Sequence, residues 1–98
     1  MKSYKIRILP AAKDDVLEAK EWYRGHGIDL SKRFVVQVKT TVEKIGRNPA
    51  AYSVRYKDVR LASLRIFPYS VHYIFQAEEV LLLGVFHTAM SPESWKRL

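Results

Sequence analysis

Toward its C-terminal end the chain carries two adjoining apolar runs, Arg65-Ile-Phe-Pro-Tyr-Ser-Val-His-Tyr-Ile-Phe75 and Val80-Leu-Leu-Leu-Gly-Val-Phe-His87, separated only by Gln76-Ala-Glu-Glu79. Short apolar runs rich in β-branched and aromatic residues, joined by a polar turn, read as a strand hairpin. Strand side chains alternate with period two, so Val71, Tyr73 and Phe75 share one face and Ser70, His72 and Ile74 the other. On the second strand Leu81, Leu83 and Val85 oppose Val80, Leu82, Gly84 and Phe86, with no polar position before His87. A half-solvated strand alternates with polar residues; this hairpin wants cover on both faces. A chain of 98 residues buries only about 60–65% of its unfolded surface. The pattern therefore predicts apolar sheet surface left over for another polypeptide.

The rest of the chain supplies cover for one face. Tyr4 to Leu9 alternates and predicts a strand, ended by Pro10, which suits a first helical turn. Asp14 and Asp15 follow where a helix dipole favours negative charge. Ala12, Val16, Ala19 and Tyr23 recur at helical spacing until Gly25-His26-Gly27 breaks the pattern. A second helix is predicted from about Leu30, with Leu30, Phe34, Val38, Thr41 or Val42, and Ile45 on one face, stopped by Gly46 and Asn48-Pro49. Two helices joined so briefly pack as an antiparallel hairpin. From Val59 the period is two again, placing Leu64 and Ile66 opposite Arg65 and Phe67, before Pro68 turns the chain into the Tyr69–Phe75 strand. Ser91-Pro-Glu-Ser predicts a last helical turn holding Trp95 against the sheet. The expected architecture is a single α+β domain over residues 1–98, β-α-α-β-β-β, with the helical hairpin on one face of a mostly antiparallel four-stranded sheet.

Cysteine is absent, which removes disulfides and thiolate metal sites and suits a reducing cytoplasm. No run approaches membrane-spanning length, and the alternating N-terminus lacks a signal-peptide core, so a cytoplasmic protein without a membrane partner is expected. Seventeen Lys and Arg against ten Asp and Glu give a net charge of +7. That balance favours an anionic partner, either nucleic acid or an acidic protein segment.

The element order, together with Phe67-Pro68-Tyr69-x-Val71-x-Tyr73, a strand ending in Phe86-His87, Pro92-x-x-Trp95, and Glu21-Trp22-Tyr23 at the end of the first helix, resembles the ParE/RelE superfamily of toxins from type II toxin–antitoxin modules. The resemblance implies a small basic toxin held in a hetero-oligomer by a cognate acidic antitoxin whose extended segment wraps the domain. It also implies one of two targets: ParE-like members poison DNA gyrase by binding, whereas RelE-like members cut messenger RNA on the ribosome. A third outcome is a degenerate member that binds antitoxin and harms nothing. No cofactor is implied.

Cutting RNA without a metal needs a base, an acid and cations for the phosphorane charge. The available residues are Arg55, Lys57, Arg60, Arg65 and His87. RelE-like enzymes add a C-terminal tyrosine and arginines near the last strand. This chain has Thr88-Ala89-Met90 and Trp95 there, and an indole donates a hydrogen bond but exchanges no proton usefully. The expectation is a binding toxin of the ParE type. Arg55, Lys57 and Arg60, interleaved with Tyr52 and Tyr56, form the densest basic–aromatic patch; it would hold phosphates or acidic side chains, or simply solvate a sheet edge. Arg65 is expected on the face away from the helices. His87 is a titratable group or a hydrogen-bonded structural one. His26, His72 and His87 are too scattered for a metal site. Trp22 and Tyr23 are expected to anchor the helices to the sheet. The candidate contact set for target or antitoxin is thus Tyr52, Arg55, Tyr56, Lys57, Arg60, Arg65, His87 and Trp95.

Overall fold

A computed structural model describes residues 3–89. The expected turn at Ser91 and the packing of Trp95 lie outside the described residues. The chain forms β1 (Lys5–Ile8), α1 (Pro10–Arg24), α2 (Ile28–Arg47), a 3₁₀ turn (Pro49–Ala51), β2 (Val54–Tyr56), β3 (Val59–Ser63), β4 (Tyr69–Gln76) and β5 (Glu79–His87). One sheet in the order β1-β5-β4-β3-β2 has antiparallel neighbours throughout, except that β1 runs parallel to β5 with Ile8 opposite Leu82. The helical hairpin covers one face, as the sequence predicts.

Pro10 occupies the first turn of α1, where its missing N–H costs nothing. No acidic residue lies in that first turn, so the expected dipole role of Asp14 and Asp15 is not what the fold uses. Helix α2 begins at Ile28 rather than Leu30, after Gly27 at φ 151°, a conformation that L side chains rarely adopt. Its buried seam runs through Ser31, Phe34, Val38, Thr41 and Ile45, alternating three and four residues, and Leu30 is left at the surface. Ser31 replaces it because its hydroxyl donates to the Lys20 carbonyl at 3.1 Å where the two helices meet. Tyr23 does anchor the hairpin, its ring 5.0–5.2 Å from those of Phe67 and Phe34. Trp22 does not: it is 59% exposed and stacks on His26 at 4.1 Å.

Among the described residues the sheet has five strands, one more than expected. The extra one is β2, which pairs with β3 through a tight turn at Lys57, φ 47°. The period-two reading also fails between Leu64 and Pro68, which form a turn closed by Leu64 N–H to the Tyr69 carbonyl at 2.9 Å and Tyr69 N–H to the Phe67 carbonyl at 2.8 Å. Leu64 and Phe67 both point inward there, and Ile66 points out.

Strict alternation on β5 is broken by a β-bulge. His72 pairs with Gly84 but Tyr73 with Leu82, so Leu83 is the extra residue and parity inverts beyond it. Val80, Leu82 and Val85 therefore all belong to the core beneath the helices, where Val85 was expected on the opposite side. The second face is also not the open apolar surface that the pattern predicts. Leu83 is 8% and Phe86 3% exposed, His72 is buried, and Leu81 and Ile74 are half-buried. On this face His72 sits edge-on to Phe86 at 4.7 Å, and the unforeseen β2 brings the Tyr56 hydroxyl to 2.9 Å from His72 Nδ1.

Candidate functional site

The fold scatters the residues that the sequence nominates. Arg60, on β3 opposite Tyr73, turns inward, and its guanidinium donates to the carbonyls of Tyr52 and, at 3.4 Å, of Ala50. It braces the 3₁₀ turn and is not an open cation. Tyr52 packs on the core with its ring 6.3 Å from that of Tyr73. Tyr56 is tied to His72, and burial raises its hydroxyl pKa. Lys57 and Arg65 project from separate turns. His87 ends β5 edge-on to Tyr69 at 5.1 Å, and its Nδ1 accepts the Ala89 N–H at 3.0 Å, which is a structural role. Of the five groups proposed for RNA cleavage, Arg55 and His87 line one depression of about 220 Å³ on the second face, above Ser63, Ser70 and His72. Lys57, Arg60 and Arg65 do not line it.

Two other concave features mark the described surface. Between α1, α2 and the end of β1 runs a groove of about 270 Å³ walled by Ile8, Ala12, Val16, Leu17, Val38 and Val42. Its rim is greasy, with Leu17 56% and Ile8 45% exposed. The sequence did carry a signal for it: Leu17 sits beside the Ala12/Val16/Ala19 stripe and widens it past what one packed seam consumes, and Ile8 repeats Ile6 at strand spacing. On the other side of α1 a crevice of about 580 Å³ gathers Asp15, Glu18 and Glu21 opposite Tyr69 and His87. Here Asp15 has a structural task, its Oδ2 accepting the Val85 N–H at 2.9 Å. That amide lies on the stretch of β5 that β1 no longer borders. The Tyr69 hydroxyl beneath is held above its ordinary pKa, chiefly by burial and then by the charges of Tyr23 and Glu18.

Among the described residues no three or more His, Asp or Glu side chains converge as a metal site would require, and no helix is long and apolar enough to cross a membrane. The described surface carries an apolar groove on a basic α+β fold. A helical hairpin laid on one face of a mixed sheet, with the first strand added in parallel beside the last, defines the class. Residues 6–92 match the family described as ParE toxin of type II toxin–antitoxin system, parDE, and the chain belongs to that family. The fold is similar to that of a chain from the chromosomal ParDE system of P. aeruginosa, with TM-score 0.77 and 17% identity over 87% of this chain and 96% of that one. It is also similar to a chain of the RelBE2 toxin–antitoxin complex from Mycobacterium tuberculosis, with TM-score 0.61 and 15% identity over 87% and 98% of the two chains. No curated protein sequence matches the chain.

Proposed function

We propose that this ParE-family toxin is neutralised by a cognate antitoxin that fills the Ile8/Leu17 groove, and that it acts by binding DNA gyrase rather than by cutting a substrate. The observation that carries the reading is the groove: a set of aliphatic side chains left in water between two helices is stabilised by an amphipathic segment laid into it. The binding mode of action is supported by the dispersal of the basic residues, Arg60 above all, whose charge is spent on backbone carbonyls. Titrating purified chain into a gyrase supercoiling assay tests the target. Dose-dependent loss of supercoiling, reversed by the antitoxin, is the expected outcome; full activity at saturating chain rejects gyrase. One observation favours a second reading, ribosome-dependent cleavage of messenger RNA, namely the depression that Arg55 and His87 share. Primer extension on translated messages showing no new ends would remove it.

A further inference from the structure

The turn between β3 and β4 holds a residue that the fold does not explain. Ile66 sits at φ 50°, a backbone region where a β-branched side chain is strained and where glycine or asparagine is the ordinary choice. Strain is tolerated where burial compensates for it, yet Ile66 is 72% exposed. Its identity contributes nothing to the turn, which Leu64 and Phe67 already pin to the core.

Ile66 borders a cleft of about 260 Å³ facing the N-terminal half of α2, where Val36 is 57% exposed. Lys32 and Arg33 line the same cleft, and Arg65 precedes Ile66. None of the three cations is in an ion pair among the described residues. Two aliphatic knobs beside two cations in the cleft, with a third next to Ile66 in the chain, call for a partner with an apolar recess flanked by carboxylates. A phosphate backbone would use the cations but gains nothing from desolvating Ile66 and Val36. A base would need an exposed aromatic platform, and Phe67, the aromatic ring in the cleft, is buried. A second copy of this basic chain would bring cation against cation.

We infer that Ile66 and Val36, with Lys32, Arg33 and Arg65 around them, form the surface by which the chain docks on an acidic protein target. This rests on the proposed action through gyrase and assigns it a location that shares no residue with the groove given to the antitoxin.

Binding of purified gyrase, free of DNA, to wild type, Ile66→Gly and an Arg33→Glu/Arg65→Glu double variant tests it. Glycine suits the backbone at position 66, so Ile66→Gly melts no lower than wild type and reads the side chain alone. The expected result is a loss of affinity of about tenfold or more in both variants, with wild-type binding weakened by salt. Wild-type affinity in both variants overturns the inference and leaves gyrase as target. No binding by the wild type overturns the gyrase reading, and the inference with it. Binding that survives Ile66→Gly, falls on charge reversal and falls equally on naked duplex DNA identifies a phosphate contact and also overturns it.

Discussion

Tyr73 shows how a single side chain joins the parts of this small core. It is fully buried, and its hydroxyl donates to the Pro49 carbonyl at 2.5 Å. Burial is the main force pushing its pKa from 10.0 up to about 12; Arg60 draws it back and Tyr52 raises it further. The folded state thus holds a proton that the unfolded chain gives up first. The resulting stabilisation is complete below about pH 10 and is lost as pH rises through the folded value near 12. Tyr23, Tyr56 and Tyr69 shift in the same direction, also through burial. Denaturant titrations should show Tyr73→Phe less stable by about 0.5–1.5 kcal/mol near neutral pH, and falling less steeply than wild type above about pH 10. Parallel curves would mean that Tyr73 does not carry the alkaline loss. Of this arrangement the sequence showed Tyr73 sharing one strand face with Val71 and Phe75, without marking that face as the one beneath the helices. It did not show that Arg60 turns inward beside it, because the 3₁₀ carbonyls that capture Arg60 exist only once α2 has ended against the sheet.

At the scale of elements, both helices and the four strands β1, β3, β4 and β5 were legible because each repeats an apolar residue at its own period. The misreadings fall where one residue changes the count. Leu83 enters β5 as a bulge and sends Val85 to the helix side, and nothing in a run of leucines and valines marks where an extra residue is absorbed. Strand β2 was missed because three residues, Val54–Tyr56, are too few to establish a period. Charge and type nominate Arg55, Lys57, Arg60 and Arg65 together, but they stand on β2, the β2–β3 turn, β3 and the β3–β4 turn. Asp15 links the bulged strand to α1 through the Val85 amide. Asp15→Ala should leave that half-buried N–H without its acceptor and cost about 1–3 kcal/mol by denaturant unfolding, with Asp15→Asn recovering part through its amide oxygen. Full stability in the alanine variant would show that water replaces the carboxylate at no cost.

Across the whole molecule, the spare apolar area is displaced from where the sequence placed it. Parity counting put it on the bare face of the sheet, but Leu83, Phe86 and His72 on that face are buried, and the helical side keeps an open seam at Ile8 and Leu17. Leu17→Glu is well solvated in the free chain, so its melting temperature should stay close to that of the wild type, while co-purification with the cognate antitoxin falls by about tenfold or more. Undiminished co-purification would place the antitoxin elsewhere on the surface. The same topology sets the order in which the molecule can be completed. Strand β1 precedes every other described element, yet among the described residues its neighbour in the sheet is β5, which follows them all. A growing chain on the ribosome must carry β1 unpaired until β5 emerges, so the sheet cannot close before both helices and the strands between have been made.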